Sequence, residues 1–356
     1  MEFRPLFDDC TSEPLYIAGP CSAESREQTL MAARGVSEAG VNIFRAGVWK
    51  PRTKPGTFEG RGTEALAWLQ EARATYGLKV ITEVATPEHL EAALSAGLDG
   101  VWIGARTTTN PFAMQQIADA MQGVDVAVLV KNPVIPDVEL WVGAIERIYN
   151  SGVRRIAAVH RGFGTHNTIT YRNDPHWSVP IELHRRHPNL TILSDPSHIG
   201  GSRELITPLA QEALDLGFAG LMIECHPAPD TALSDAHQQI TPTRLKSILD
   251  GLVLRRTPVG EEALREFRVK IDALDNRMLE LLAERMCVAR DIGAYKMQHS
   301  MAVVQRERFN ELLLAAESKA AMMGLSKTFI HQIFSAIHEE SVRQQVLLSE
   351  ESTKKM

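Results

Sequence analysis

Four residues of the kinds that bind transition metals are Cys21, His198, Glu224 and Asp235. They offer a thiolate, an imidazole and two carboxylates, a mixed set that suits one divalent ion such as Mn, Fe, Co or Zn. Because the four lie far apart in sequence, a second interpretation stays open, in which Cys21 is a small buried residue and His198 forms hydrogen bonds in a loop. A metal site is expected only if the fold brings these side chains together.

A second set of residues is cationic and consists of Arg45, Lys50, Arg52, Arg106, Lys131 and Arg161. If these side chains converge, they repel one another unless anions lie between them. Phosphates and carboxylates are the natural partners, because arginine binds them with paired hydrogen bonds and lysine acts as a compact charge. For a single residue of this set, a solvated or ion-paired surface position is the simpler interpretation. For the whole set it is not.

Short apolar runs alternate with helical patterns from residue 15 to about residue 225. The runs are 15–18, 41–44, 79–82, 100–103, 126–130, 154–159, 190–193 and 220–223, and amphipathic segments such as 26–39, 62–76, 87–95 and 137–150 lie between them. Several runs are apolar almost throughout, which is typical of parallel strands buried on both faces. Eight such units favour an α/β fold, a (β/α)8 TIM barrel. An open doubly wound sheet is the alternative, but no glycine-rich nucleotide loop follows the first run.

The polar residues of interest follow the apolar runs directly. In run order, these residues are Cys21, Arg45, Glu83, Arg106, Lys131, Arg161, His198 and Glu224. In such barrels, catalytic groups come from the C-terminal ends of the strands. The sequence therefore predicts one composite site at that rim.

Composition restricts the function classes. The chain has 356 residues, 44% hydrophobic and 23% charged, with a net charge of −6, which suggests two folded domains and argues against nucleic acid or an anionic membrane surface as the main partner. Residues 1–13 contain acids and no apolar signal segment, and no run approaches the ~18 apolar residues that a membrane span needs. We therefore expect reduced thiols and a cytoplasmic location.

The pattern changes after residue 240. We predict a barrel over residues 1–254, a linker over 255–260 and an all-α three-helix domain over 261–356. The first helix, 261–298, is about 54 Å long, too long to be buried in a small module, so a second subunit is expected to cover it. Further helices are predicted at 305–323 and from Ser326 to about residue 349.

Polar residues interrupt the apolar faces of these helices. Arg285 breaks the stripe of the first helix, and Lys296 lies close to the same face. Ser341 and Gln345 continue a core-facing stripe of the third helix at i+4 spacing. An inward arginine is either a costly ion pair or a ligand clamp. A tail that only dimerises is the alternative, although such a bundle has no reason to place these groups inward.

Eight stretches resemble one enzyme family over about residues 12–254: AGPCSAES, FRAGVWKPRT, VITEV, IGARTTT, VLVKNP, HRGF, DPSHIGGSRE and MIECHPAPDTALSDAHQ. They are similar to 3-deoxy-D-arabino-heptulosonate-7-phosphate (DAHP) synthases of the microbial type Iβ. The resemblance implies condensation of phosphoenolpyruvate with erythrose 4-phosphate at a divalent metal, the first step of the shikimate pathway.

The resemblance also assigns roles to residues. It places the metal on Cys21, His198, Glu224 and Asp235. It places phosphoenolpyruvate on Arg45, Lys50, Arg106, Lys131 and Arg161, with Glu83 nearby, and erythrose 4-phosphate on Arg52 and Thr53. Lys131 and Glu83 are the candidates for handling the water that adds to phosphoenolpyruvate.

Two rival barrel activities fit these residues less well. A 3-deoxy-octulosonate-8-phosphate synthase is disfavoured because KPRT, and not an Asn-containing segment, follows the second run. A Schiff-base aldolase would use a barrel lysine, which the metal set makes unnecessary.

The tail resembles the all-helical chorismate mutases over about residues 261–349, through LREFRVKIDALDNRMLELLAERM, AYK, QRER and EESVRQQ. This implies rearrangement of chorismate to prephenate in a homodimer. The family's contacts fall on Arg268 (from the partner chain), Arg285, Lys296, Arg306, Glu307, Ser341 and Gln345. Val303 aligns where some members carry an acid. We also expect prephenate bound here to inhibit the barrel, since no separate regulatory domain precedes the first strand.

Overall fold

The protein is described from a computed structural model. It covers residues 1–8, 14–50, 56–164, 170–255, 262–303 and 306–354, with the backbone alone at 262, 263, 266, 306, 307 and 348–354. The chain forms two compact units, Met1–Arg256 and Thr257–Met356. The predicted linker lies almost wholly outside the described residues.

The first unit is a closed barrel of eight parallel strands in sequential order. The strands are β1 (Leu15–Gly19), β2 (Ile43–Arg45), β3 (Lys79–Val84), β4 (Gly100–Ile103), β5 (Ala127–Lys131), β6 (Ile156–His160), β7 (Thr191–Ser194) and β8 (Gly220–Glu224). The barrel closes between β1 and β8, where Leu15 pairs with Gly220 and Gly19 with Glu224. All eight predicted runs form strands, so the predicted fold is confirmed.

Helices surround the barrel. They are α1 (Arg26–Glu38), α2 (Glu64–Tyr76), α3 (Pro87–Ser95), α4 (Ala105–Thr108), α5 (Pro111–Ala120), α6 (Val138–Asn150), α7 (Ser178–Arg186), α8 (Pro196–Gly200), α9 (Ile206–Asp215) and α10 (Pro242–Gly251), with short 3-10 turns at Pro229–Thr231 and Ala236–Gln238. Polar caps fix several helix starts: the Asp137 carboxylate, for example, accepts a hydrogen bond from the Leu140 amide at 3.0 Å. The four predicted amphipathic segments are confirmed as α1, α2, α3 and α6.

The hydrophobic core has two layers. The outer layer, between strands and helices, includes Phe44 and Trp141. The inner layer fills the barrel with side chains such as Trp102, and Leu6 and Phe7 of the N-terminal segment join it. The amide of Arg4 donates to the carbonyl of Arg154, which precedes β6. The N-terminal segment therefore packs at the end where the strands begin, opposite the rim that carries the polar groups.

Side-chain alternation decides which strand-end residues face the site. Glu224 follows the inner-layer residue Met222 at a spacing of two and so lies on the inner face, whereas Cys225 belongs to the outer layer. His160 also lies outside the barrel interior: its ring contacts Trp177 with centroids 4.9 Å apart. Strand β6 therefore contributes Arg161, and not His160, to the rim.

The second unit consists of three helices, α11 (Glu262–Gln298), α12 (Arg306–Met322) and α13 (Lys327–Lys354). Both α11 and α12 pack against α13. The Ser326 hydroxyl caps α13 by accepting a hydrogen bond from the Phe329 amide at 3.2 Å. The predicted three-helix domain is thus confirmed. In the described part of the chain, no helix has an apolar stretch long enough to cross a membrane.

Candidate active sites at the barrel rim and in the helical unit

Three of the predicted metal ligands converge at the rim. One ligand atom each from Cys21, Glu224 and Asp235 lies within 4.8 Å of the other two. Cys21 follows β1, Glu224 ends β8, and Asp235 lies in the loop after β8. The Cys21 thiol donates a hydrogen bond to Oδ2 of Asp235 at 3.4 Å. A thiol between two carboxylates fits a divalent transition metal better than it fits a packed core.

The protonation of Cys21 supports that fit. Burial, together with the nearby Glu224 and Asp235 carboxylates, raises the pKa of the Cys21 thiol to about 12. The thiol therefore keeps its proton, which it donates to the Asp235 carboxylate. A bound divalent ion would reverse the balance and hold the sulfur as a thiolate.

His198 lies beside this cluster, in the first turn of α8. Its Nδ1 is 2.7 Å from Oδ2 of Asp195, and its Nε2 is 3.7 Å from Oε1 of Glu224. Burial lowers the pKa of His198 despite these acids, so the ring is neutral, the form that binds metals. A carboxylate on Nδ1 is the usual way in which proteins orient a metal-binding imidazole. His198 is therefore placed beside the three-residue cluster without being one of its members.

Three of the predicted cations are ion-paired inside the rim. Arg45 Nη2 lies 3.1 Å from Oε1 of Glu224, Lys131 Nζ lies 2.8 Å from Oδ2 of Asp195, and Lys50 Nζ lies 3.6 Å from Oε2 of Glu83. Repulsion among these cations is therefore smaller than the sequence alone indicates, because acids from other strands offset part of their charge.

The two lysines differ in proton affinity. For Lys50, the effect of burial is outweighed by Cys21, Glu83 and Glu224, and its pKa rises to about 12. For Lys131, burial prevails over the attraction of Asp195, and its pKa is lowered. Lys131 is therefore the rim lysine that gives up a proton more readily.

A second group of cations at the rim lies around Arg161. Its guanidinium donates to neutral acceptors, Oδ1 of Asn173 at 2.7 Å and the Gly162 carbonyl at 3.4 Å. Burial, reinforced by Arg172 and Arg106 and only partly offset by Asp195, lowers the pKa of Arg161 to about 10. Positive charge accumulates here, so this side of the rim is suited to a phosphate or carboxylate.

Sequence reasoning missed Arg172, which lies in the loop after β6. Its Nη1 is 3.2 Å from Oδ1 of Asp235 and donates to Oε1 of Gln238 at 2.5 Å. An arginine inside the YRN segment was the available signal, but it is not at a strand end.

The predicted erythrose 4-phosphate residues, Arg52 and Thr53, lie outside the described residues. Lys50, just before them, donates from Nζ to the Cys21 carbonyl at 3.1 Å.

The second unit contains a cavity of about 300 Å³. Four predicted residues, Arg285, Lys296, Ser341 and Gln345, line it together with Val303. Arg285 Nη1 donates to the Ser341 hydroxyl at 2.6 Å, and Lys296 Nζ donates to the Val303 carbonyl at 2.6 Å. Lys296, Ser341 and Gln345 are all buried. Polar groups thus face a cavity within the bundle, which is the arrangement expected of a ligand site.

Some predicted residues of this unit are placed elsewhere or not described. The side chains of Arg306 and Glu307 lie outside the described residues. Arg268 precedes Arg285 on α11 by 17 residues, about 25 Å along the helix, and is not among the cavity's lining residues.

Two lining residues of the cavity were missed by sequence reasoning, Arg308 and His338. The His338 ring stacks on Phe309 with centroids 4.0 Å apart. Burial, together with the charges of Arg285 and Lys296, lowers the pKa of His338. His338 could have been identified from the sequence, because it precedes Ser341 by three residues and therefore lies on the same helix face.

Known proteins match both units. The family model described as the DAHP synthetase I family matches residues 11–257, and the model described as chorismate mutase type II matches residues 267–346. The phospho-2-dehydro-3-deoxyheptonate aldolase of Thermotoga maritima is 38% identical over 224 residues, 63% of this chain and 64% of that protein. A 2-dehydro-3-deoxyphosphooctonate aldolase of Nitratidesulfovibrio vulgaris is 30% identical over 259 residues, 66% of this chain and 89% of its own length.

A solved structure agrees with these matches. The crystal structure of the Thermotoga maritima DAHP synthase superposes with a TM-score of 0.60 at 35% identity, covering 66% of each chain. The match thus spans less than two thirds of the length of the Thermotoga protein, 64% of it in sequence. The first family model covers well over half of the present sequence, from residue 11 to residue 257. The chain therefore belongs to the DAHP synthetase I family, and it carries in its helical unit a chorismate mutase type II domain.

Proposed function

We propose that the protein is a bifunctional enzyme of aromatic amino-acid biosynthesis. Its barrel condenses phosphoenolpyruvate with erythrose 4-phosphate to DAHP, and its helical domain rearranges chorismate to prephenate. The observation that carries the first activity is the approach of Cys21, Glu224 and Asp235 to within 4.8 Å at a cationic rim. The proposed metal set is completed by His198, whose Nε2 lies 3.7 Å from Glu224.

Binding of phosphoenolpyruvate follows from the charges. Its phosphate suits the Arg161 side of the rim, where Arg106 and Arg172 add positive charge. Arg45, Lys50 and Lys131 complete the proposed set, because their positions on the inner side of the rim place cations next to the metal cluster. Arg52 and Thr53 are proposed for the phosphate of erythrose 4-phosphate.

The reaction forms a bond between C3 of phosphoenolpyruvate and the aldehyde carbon of erythrose 4-phosphate. Held by Cys21, His198, Glu224 and Asp235, a divalent ion would supply Lewis-acid polarisation of the aldehyde oxygen, which takes up a proton as the new bond forms. As C3 attacks, C2 becomes electron-poor and takes up water, and loss of the phosphate leaves a ketone. Lys131 and Glu83 are proposed to move the protons of that water, since burial makes the Lys131 proton easier to transfer.

The substitution Cys21→Ala tests the metal site. We expect it to abolish metal binding and the condensation while leaving the mutase rate unchanged, because the two sites lie in separate units. Cys287→Ala, at an exposed cysteine of α11, is the matched control and should change neither rate. Metal content and both initial rates should be measured on the same preparations. Condensation by Cys21→Ala at the wild-type rate, or loss of both activities, contradicts the proposal.

The mutase reaction is a rearrangement of one molecule and needs no covalent group. Arg285 and Lys296 are proposed to hold the substrate in its compact geometry and to stabilise charge as the ether bond breaks. Arg306, Glu307, Ser341 and Gln345 complete the proposed contacts, with Arg268 supplied by a partner chain.

The substitution Arg285→Ala should lower the mutase kcat/KM by a factor of about 10²–10³, the usual effect of removing a preorganised donor, and should leave condensation unchanged. Arg290→Ala is the control: this arginine lies on the same helix but bonds to Gln344, away from the cavity. Mutase activity that survives Arg285→Ala at the wild-type level is incompatible with the assignment.

We further propose a homodimer formed through the helical domain. Leu274, Met278 and Leu281 are each more than half exposed on α11, and a second copy of the same helix offers a complementary apolar face. The dimer would also place Arg268 of one subunit in the cavity of the other.

Two alternatives are separated from the proposal by experiment, one for the barrel and one for the helical tail. Relatives at 30% identity are named 2-dehydro-3-deoxyphosphooctonate aldolases. Comparing kcat/KM for erythrose 4-phosphate and for arabinose 5-phosphate separates the two barrel activities, and a preference for the pentose would replace the proposal. The tail could also serve only dimerisation or prephenate-responsive inhibition. Condensation kinetics at saturating prephenate test the inhibition, and an unchanged rate removes it.

A further inference from the structure

Asp235 is the proposed metal ligand that lies farthest along the chain from the strand it follows, β8, which ends at Glu224. It lies in the loop between β8 and α10 with φ 48° and ψ 38°. This left-handed conformation is uncommon for a residue with a side chain and persists where the surroundings enforce it. The position of Asp235 therefore depends on contacts made by its neighbours in the loop.

Gln239 makes the first of these contacts. Its side chain is fully buried. Its Oε1 accepts a hydrogen bond from the Cys21 amide at 2.9 Å, and its Nε2 donates to the Ser234 carbonyl at 2.7 Å. One side-chain amide thus connects the backbone of one proposed ligand, Cys21, with the residue that precedes another, Asp235.

Two further hydrogen bonds connect the segment that follows Cys21 with the segment that precedes Asp235. The Ser22 and Ser234 hydroxyls are 2.6 Å apart. The Leu233 amide donates to Oε1 of Glu24 at 2.8 Å. The residues that follow Cys21 therefore hold the residues that precede Asp235, and the loop is fixed to the β1 end of the rim.

The third proposed ligand is connected to the same loop. Gln238 donates from Nε2 to Oε2 of Glu224 at 2.6 Å. Consecutive glutamines thus contact the Cys21 backbone and the Glu224 carboxylate. Both side chains are buried, so these hydrogen bonds do not compete with solvent.

We propose that Gln239 is a positioning residue that sets the spacing between Cys21 and Asp235 and so preorganises the metal site. The inference rests on the proposed metal dependence of the barrel. Without the bridge, the loop would keep its contacts with Ser22 and Glu24 but would gain freedom next to Asp235, and the cost of restricting that freedom would be subtracted from the affinity for the ion. Contacts of this kind around metal ligands commonly change affinity by about 10- to 100-fold.

The test is metal binding by the full-length protein carrying Gln239→Met, which keeps the side-chain length but removes both hydrogen bonds. Titration calorimetry with Mn²⁺ gives the Kd, and Co²⁺ reports thiolate coordination through its sulfur charge-transfer absorption. We expect a Kd about 10- to 100-fold higher than in the wild type, with a weaker thiolate band. Gln211→Met is the matched control, because Gln211 also bridges two backbone groups, the amide and carbonyl of Val253, away from the site.

The outcomes of these metal titrations separate the role of Gln239 from a general loss of structure. Equal Kd values for Gln239→Met and the wild type overturn the inference, as does an equal loss in Gln211→Met. If Gln239→Met fails to fold, Gln239→Glu keeps the acceptor for the Cys21 amide and removes the amide donor to the Ser234 carbonyl, and a wild-type Kd for that variant overturns the inference. If the wild type and Cys21→Ala both fail to bind either metal, the proposed metal-dependent function itself is wrong, which is a distinct result.

Discussion

Lys131, Arg45 and Asp195 form a charge network inside the barrel rim. Lys131 and Asp195 are buried and 2.8 Å apart, and Arg45 lies 4.0 Å from the same carboxylate. Such a network contributes little net stability when complete, but removal of one member leaves an uncompensated buried charge. The network instead fixes the geometry of the site, because it holds the cationic side chains at the positions proposed to bind substrate.

The substitution Lys131→Met should therefore reduce both condensation and stability. We expect the free energy of unfolding, measured by urea denaturation, to fall by up to about 3–5 kcal/mol, moderated by the remaining contact of Asp195 with His198. Lys246→Met, which removes an exposed pair with Asp250, should have little effect. Equal changes in the two variants would show that the buried network is not structurally important.

Residue types in the sequence predicted much of the rim but not its charge balance. Cys21, Glu224 and Asp235 were expected together and lie together. The pairing of Lys131 with Asp195 was not foreseen, because the two partners come from different strands and only the fold makes them neighbours. Arg172 and Gln239 were also missed, since residues in irregular loops follow no periodic pattern.

At the level of elements, the seam between β1 and β8 closes the barrel and also joins Cys21 to Glu224. Gly220 lies so close to β1 that a Cβ at this position would be 2.0 Å from the Leu15 carbonyl oxygen. Neither backbone can move without opening the seam. The glycine is therefore required by the close approach of two strands.

The substitution Gly220→Ala should lower the melting temperature, with a loss of at least about 1–3 kcal/mol in the free energy of unfolding. Gly251→Ala is the control, because nothing lies within 4 Å of a Cβ at the end of α10. A melting temperature of Gly220→Ala equal to that of the control would contradict the described seam.

Elements were predictable where their apolar patterns are strong. Parallel strands buried on both faces leave continuous apolar runs, and all eight were found with end shifts of about two residues. The direction in which a strand-end side chain faces is less predictable from sequence: His160, the last residue of β6, directly precedes the rim residue Arg161 but packs against Trp177 in the outer layer.

At the level of the whole molecule, the proposed dimer explains why α11 exposes apolar residues such as Leu274 and Leu281. Burial of such a face stabilises association by about 25 cal/mol per Å². If Arg268 acts in the partner's cavity, dissociation should also reduce mutase activity.

The substitution Leu274→Glu should convert the protein to a monomer in analytical ultracentrifugation and lower the mutase rate. Phe112→Glu, at an exposed aromatic residue of α5 in the barrel unit, should leave both unchanged. A Leu274→Glu protein with the oligomeric state of the wild type would exclude this face of α11 as the interface.

The most direct test of the metal-dependent barrel activity is to assay both reactions on one purified sample before chelation, after chelation and after return of Mn²⁺. We expect the condensation to disappear with the metal and to recover on its return. The chorismate rearrangement should stay constant throughout and so show that the protein remains folded. A condensation rate that is the same in thoroughly metal-depleted protein would contradict the site formed by Cys21, Glu224 and Asp235.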